Sequence, residues 1–287
     1  MHKFLNMNIT RKPDWLKIKI ESTENYAFVQ QIVSENHLHT ICSSGRCPNR
    51  CECWSRGTAT FMIMGDICTR TCRFCATKSG RPLPLDSYEP EKLAQSIFLM
   101  KLKHCVITSV DRDDLPDKGA AHWAKIVCQI RKKNPNIVIE LLIPDYQNEL
   151  LQMVIDSKPN IIGHNMETVE RLTPTVRSKA TYKNSLETLK QIAVSGIITK
   201  TGIMVGLGET EKEVMQTLAD ARNMGTSIVT IGQYLQPTKN NIDVAQYITP
   251  EQFDLFKKYA LKLGYQHVES APLVRSSYMS DKINIDL

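Results

Sequence analysis

The chain has 287 residues, 42% hydrophobic and 23% charged, with a formal net charge of +6 and nine cysteines. That length suits one large core with modest extensions, the apolar runs are too short and interrupted for a membrane-spanning helix, and Lys and Arg are dispersed rather than interleaved with aromatics as on a nucleic-acid-binding face. Residues 1–10 lack the apolar core and small-residue cleavage site of an export signal, so a cytoplasmic location is expected; an odd number of thiols in a reducing compartment suits metals better than a disulfide framework.

The first 57 residues form an N-terminal extension. They carry Cys42, Cys47 and Cys53, spaced C-x4-C-x5-C, with Cys51 inside the second interval. Three thiols at this density read as cluster ligands, or as a zinc site using Cys51 as the fourth. A single residue separates Cys51 from Cys53, which strains joint ligation of one ion, so Cys53 is the favoured ligand and Cys51 a bystander.

From residue 58 onward, short β-rich runs alternate with amphipathic segments, as in successive βαβ units. Strands are expected at 58–64, 105–110, 137–143, 160–165, 200–205 and 228–235. Helices are expected at 90–103, 120–134, 148–157, 183–195, 210–225 and 250–263. The predicted fold class is α/β: a partial (β/α)6 TIM-type barrel over residues 58–265, open rather than closed, with a C-terminal tail at 266–287. Right-handed crossovers would place every strand's C-terminal end, and the reactive groups, on one face.

The loop leaving the first of these strands holds Cys68-Thr-Arg-Thr-Cys72-Arg-Phe-Cys75, a C-x3-C-x2-C run. It supplies three thiolates to a centre that needs four, and a metal left one ligand short keeps a position open for chemistry. A zinc knuckle is the blander alternative. The spacing resembles that of radical S-adenosylmethionine (SAM) enzymes, in which the residue before the last cysteine is usually aromatic, as Phe74 is.

Further motifs narrow the resemblance. Lys12-Pro-Asp-Trp15-Leu16, Arg46-Cys47-Pro48-Asn49, Glu52-Cys53-Trp54, Gly65-Asp66-Ile-Cys68-Thr69-Arg70, Ser109-Val-Asp111-Arg112-Asp113-Asp114-Leu115, His164-Asn165-Met-Glu167-Thr168-Val169, Gly206-Leu207-Gly208-Glu209 and Arg275-Ser276-Ser277-Tyr278 together resemble the lipoyl synthase family over most of the chain. The resemblance implies an enzyme with two [4Fe–4S] clusters that inserts sulfur at C6 and C8 of an octanoyl chain linked to a lysine of a lipoyl carrier domain. Such C–H bonds offer no acidic proton to a base, so a radical must start the reaction. By the same resemblance, Cys68, Cys72 and Cys75 hold the cluster that binds SAM. Cys42, Cys47 and Cys53 hold the auxiliary, sulfur-donating cluster, whose fourth ligand is a serine of the tail, matched to Ser276. An alkoxide is harder than a thiolate, so that serine is expected to mark the iron that departs when sulfide is consumed.

Several residues receive SAM-binding expectations. Asn165 and Glu167 follow a strand on the presumed catalytic face, Arg177 can pair a carboxylate, and Gly206 and Gly208 allow close backbone approach to an adenosine. One or two of Asp111 to Asp114 are placed near SAM. His39, His104, His122 and His267 lack ligand spacing and are expected to be structural or exposed, while Cys105 and Cys128 are expected to act as small hydrophobes on a strand and a helix. The implied partners are octanoylated carrier domains (2-oxoacid dehydrogenase E2 subunits and the glycine cleavage H protein), a reductant such as flavodoxin or ferredoxin, and iron–sulfur carrier proteins, with no nucleic acid and no membrane.

The chain departs from the family pattern in two places: Cys51 stands where Gly is expected before Glu52, and Met279-Ser280 follows Tyr278 where the family usually has His-Ala. Two rivals explain both triplets: a methylthiotransferase-type enzyme, which lacks support from any appended RNA-binding domain, and a zinc-stabilised nucleic-acid-binding module, which has no need of six βα units.

Overall fold

The computed structural model describes residues 12–18 and 23–283; the segment read for an export signal lies outside the described residues. The strands are β1 (His39–Thr40), β2 (Thr60–Ile63), the short pair β3 (Ile67–Cys68) and β4 (Lys78–Ser79), then β5 (His104–Ser109), β6 (Val138–Leu142), β7 (Ile161–Gly163), β8 (Ile198–Val205), β9 (Ile228–Gln233) and β10 (His267–Ser270). The helices are α1 (Glu24–Glu35), α2 (Ile41–Ser44), α3 (Arg50–Ser55), α4 (Glu89–Leu99), α5 (Ala120–Lys133), α6 (Asn148–Asp156), α7 (Thr173–Val176), α8 (Tyr182–Val194), α9 (Glu211–Asn223) and α10 (Pro250–Lys262).

β2, β5, β6, β7, β8, β9 and β10 pair in that order, all parallel, and β1 lies antiparallel on the β2 edge. All six expected strands and all six expected helices are present. The helix expected at 90–103 stops at Leu99, because Lys101 adopts a left-handed backbone (φ 53°) that turns the chain into β5. β10 adds a seventh parallel strand from the stretch read as tail. Its sequence, His-Val-Glu-Ser, carries little strand signal, and pairing with β9 makes it a strand.

The sheet separates an apolar outside from a polar inside. Cys105 and Ile107 on β5, Ile139 and Leu141 on β6, and Val229 and Ile231 on β9 are buried in the outer core. Two-residue alternation turns Thr108, Leu142, Thr230 and Gly232 inward onto a cavity. Trp123 of α5 and Phe253 of α10 are essentially sealed from solvent, each contributing about 1.5–3 kcal/mol or more through apolar burial. Local signals agree with the packing: α9 opens on a capping box between Thr210 and Glu213, and Thr249 caps α10 just ahead of Pro250. Cys128 departs from expectation: it is exposed, whereas Cys105 is buried.

After β10 the chain turns into the barrel. Gln233 N donates to Pro272 O (3.2 Å), and Asn49 Nδ2 donates to Leu273 O (2.7 Å), tying the tail to both β9 and the N-terminal extension. At Gly232 the Val274 carbonyl passes so close that any Cβ would collide with it. A Gly232→Ala substitution is therefore expected to destabilise the fold by about 1–3 kcal/mol, the usual cost of overpacking, and to speed proteolysis of residues 271–283. Unchanged urea unfolding and tail proteolysis would show that the close approach is not a constraint.

Candidate metal centres and ligand cavity

The first cysteine triplet is built by the loop after β2. Cys68 ends β3, which pairs with β4 across the loop, so Cys72 and Cys75 lie on a closed excursion. Two segments pin it. Arg73 N donates to Val176 O (2.9 Å), Ile242 N to Arg73 O (3.0 Å), and Asn241 Nδ2 to Cys75 O (2.8 Å). Cys68 Sγ accepts from the amides of Arg70 (3.4 Å) and Asp111 (3.3 Å), and Cys72 Sγ lies 3.5 Å from Ser178 Oγ.

Arg70 anchors the loop to the strand ends. Its guanidinium meets Asp113 (3.0 Å), Asp145 (2.7 Å) and Asp111 (3.3 Å), from the loops after β5 and β6, and its side chain is only 7% exposed. The Arg70 hydrogen bond holds Asp113 well below the usual carboxylate range. Asp145 escaped the sequence reading; its only signal was a carboxylate just beyond a predicted strand's C-terminal end.

Cys68, Cys72 and Cys75 open onto a cavity of about 550 Å³, which Phe74, Asn165 and Glu167 also line. Arg177 lines an adjoining cavity of about 130 Å³ that shares Asn165, Glu167 and Arg70 with the first. Glu167 is held against β8 by its backbone, N to Gly202 O (3.1 Å) and O from Met204 N (2.8 Å), in a left-handed conformation (φ 66°) that a non-glycine residue rarely adopts. Burial raises its carboxyl pKa, partly offset by Arg177 and by Asn165 Nδ2 at 3.1 Å. Burial likewise raises Asp111, against the pull of Arg70. Two desolvated carboxyls facing one cavity are complementary to a cationic ligand.

Gly206 and Gly208 do not line either cavity. Both have positive φ and close the turn from β8 to α9 around Glu209, whose carboxylate accepts from the amides of Gly206 and Leu207. A Cβ on Gly206 would run into Gln233 and the Gln246 carbonyl. In this structure the two glycines shape the turn from β8 to α9.

The second triplet is assembled by α2 and α3. Cys42 lies in α2, whose N-terminus Thr40 caps; the turn through Arg46 (φ 50°) brings Cys47 back, with its amide donating to Cys42 O (3.1 Å). Cys42, Cys47 and Cys53 line a common cavity with Thr60, His104, Arg275 and Ser277. Cys51 is absent from that lining, since residues two apart on α3 point to different sides of the helix. Burial, with Cys42 and Cys47 nearby, pushes the Cys53 thiol up to about 12; burial likewise pushes Cys68 up to about 11. Thiolates in such surroundings need a metal's positive charge.

Ser276 was the expected fourth ligand, but the structure turns it onto the barrel cavity and turns Ser277 onto the cysteine cavity. Adjacent residues of the tail face opposite ways, and Ser277 Oγ is held at 2.8 Å by Thr60 Oγ1. Arg275 lines both cavities and so stands between them. Among the described residues no three His, Cys, Asp or Glu side chains converge on a point that would suit a single ion. Three thiols on one cavity wall can each take one iron of a cluster.

Residues 62–221 match the Radical SAM superfamily. The lipoyl synthase of Phocaeicola vulgatus is 59% identical over 278 residues, covering 96% of this chain and 98% of that protein. The lipoyl synthase of Bacteroides fragilis (strain YCH46) is 61% identical over 274 residues, covering 95% of each. The chain belongs to the lipoyl synthase family. Among solved structures, methylornithine synthase (PylB) superposes with a TM-score of 0.54 at 13% identity, covering 94% of this chain and 89% of that one. Streptococcus suis SuiB bound to S-adenosylmethionine superposes with a TM-score of 0.60 at 8% identity, covering 83% of this chain and 58% of that one. At these identities the likeness concerns the fold, and it is the radical SAM fold that this lipoyl synthase family member shares. Lipoyl synthases are radical SAM enzymes with two [4Fe–4S] clusters, and two separate thiol-lined cavities are what such an enzyme needs.

His164, behind the SAM-side cavity, is fully enclosed. Its Nδ1 lies 3.1 Å from Ile143 O and its Nε2 2.9 Å from Ser185 Oγ, which also accepts from Arg177 (2.7 Å). Burial, reinforced by Arg177, pushes its pKa down from 6.5 to about 4. The unfolded chain then binds a proton that the folded chain refuses between these values. Stability from this group is present in full above about pH 6.5 and is lost as pH falls toward 4, by on the order of 3 kcal/mol. A His164→Gln variant is expected to flatten unfolding free energy against pH across that window; parallel profiles for the two proteins would refute the assignment.

Proposed function

We propose that the chain inserts sulfur at C6 and C8 of an octanoyl group carried on a lysine of a lipoyl carrier domain, with Cys68, Cys72 and Cys75 holding the SAM-binding cluster and Cys42, Cys47 and Cys53 the sulfur-donating one. The observation that carries this reading is the shared wall. Arg275, Ser276 and Ser277 separate two cysteine-lined cavities, so an acyl chain in the larger one has one triplet at its loop end and the other behind the tail. When bound, SAM on the first cluster supplies hydrogen-atom abstraction from unactivated carbon and the second cluster supplies sulfide.

The chain's own groups do the rest. Glu167 and Asp111 offer carboxylates to the cationic end of SAM, Asn165 orients Glu167, and Arg177 backs the carboxylate side of the pocket. Ile41, Val110, Ile203, Met204, Tyr234 and Val274 furnish apolar wall for an alkyl chain and keep water from a reactive carbon. We assign the auxiliary oxygen ligand to Ser277 in place of Ser276, because Ser277 shares the cavity of the three cysteines. The carrier proteins are those of 2-oxoacid dehydrogenase E2 subunits and the glycine cleavage H protein, with flavodoxin or ferredoxin as reductant and iron–sulfur carrier proteins for rebuilding.

The decisive experiment counts iron and acid-labile sulfide in anaerobically reconstituted protein. Wild type is expected to hold about eight irons and the Cys42→Ala/Cys47→Ala/Cys53→Ala variant about four, the latter still cleaving SAM but adding no sulfur to an octanoyl-lysine peptide. Equal iron in both would remove the sulfur donor and the proposal with it. Among single variants, Ser277→Ala is expected to cut sulfur insertion about tenfold or more and change the auxiliary cluster's spectrum, as loss of a ligand does. Ser276→Ala should leave that spectrum intact; the reverse pattern would return the assignment to Ser276.

A further inference from the structure

On the far side of the auxiliary cavity the barrel encloses an ionic network that none of the roles above uses. Lys200 on β8 and Glu140 on β6 face inward, with side chains 4% and 3% exposed, and their Nζ and Oε1 atoms are 2.6 Å apart. β7 lies between their strands, so the pair reaches across the interior. Glu140 Oε2 also lies 3.0 Å from His104 Nε2. Burial alone would raise the Glu140 pKa, but Lys200 and His104 outweigh it and keep the carboxylate ionised.

The network ends on the tail. Lys200 Nζ donates to Ser280 Oγ (3.0 Å), and Ser280 Oγ lies 3.4 Å from Glu140 Oε1. Ser280 and His104 both line the cavity of Cys42, Cys47 and Cys53. One residue further, Asp281 pairs with Arg56 Nη2 at 2.6 Å, at the end of the cysteine-bearing helix α3. Between these fastenings and Arg275 the chain makes a tight turn, with Tyr278 N donating to Arg275 O (2.9 Å) and Ser280 N to Ser277 O (3.4 Å). An ion pair sealed from water gains little over apolar side chains of the same volume; its best-attested use is to impose a register.

We propose that Lys200 and Glu140 are positioning residues that clamp Ser280, and so set the turn from Arg275 to Ser280 in the register that aims Ser277 at Cys42, Cys47 and Cys53. The clamp rests on the assignment of Ser277 as auxiliary ligand. Ser280 stands at one of the two positions where the chain departs from the pattern that its family resemblance implies.

The test uses the full, anaerobically reconstituted protein and three variants: Ser280→Ala, Ser280→Thr, and Lys200→Met with Glu140→Leu, which replaces the pair by apolar side chains of similar size. Two readouts are taken: hydrogen exchange of the amides of residues 275–280, and the rate at which a chelator removes auxiliary iron. The expected result is exchange about tenfold or more faster in Ser280→Ala and in the double variant, restored by Ser280→Thr, with auxiliary iron released correspondingly faster. Unchanged exchange in Ser280→Ala overturns the clamp, and that variant decides alone if the double variant does not fold. Faster exchange with unchanged iron release overturns the proposal at its ligand: the tail is clamped, but Ser277 is not what the clamp serves.

Discussion

The Val274 carbonyl lies against the bare Cα of Gly232, and from that contact the chain threads through the inside of its own sheet. The tail's backbone is held there by Gln233 and Asn49, one from the barrel and one from the N-terminal extension. The relation between the two cavities passes through this segment. It separates the two cysteine-lined cavities, presents opposite faces to them at Ser276 and Ser277, and ties α3 to β8 through Arg56 and Lys200.

Desolvation governs the chemistry of both cavities. It raises the thiols of Cys47, Cys53, Cys68 and Cys75 and the carboxyls of Asp111 and Glu167. In each case the charged form lacks a full complement of partners within the chain, so positive charge from a metal or a ligand supplies what is missing. Arg70 is the counterexample: three carboxylates surround it, it is satisfied without any ligand, and it serves to hold the first loop to the strand ends.

The barrel strands were legible because they are short β-rich runs bounded by turn residues, nearly all apolar in Thr60–Ile63 and alternating in Ile228–Gln233. The helices were legible from their period and caps. β10 was not, because His-Val-Glu-Ser carries little strand signal, and α2 and α3 were not, because helices of four and six residues offer too few positions for a period to show. Gly206 and Gly208 carried a pattern common to ligand loops and to tight turns; at Gly206 the Gln233 side chain and the Gln246 carbonyl stand where a Cβ would lie. Cys51 was set aside on spacing, and its placement on α3 two residues from Cys53 gives the geometric reason.

The candidate ligands were all legible in the sequence: two thiol triplets with different spacings, one in the loop after the first barrel strand and one before it, and a serine pair far along the chain. Spacing within a short segment restricts which atoms can meet, so local motifs speak for themselves. Which serine faces the cavity of the second triplet was decided by tertiary structure alone. Ser276 and Ser277 are chemically identical neighbours, and only the direction in which the tail lies against Gly232, Thr60 and Lys200 turns one hydroxyl toward the cysteines and the other toward the barrel cavity.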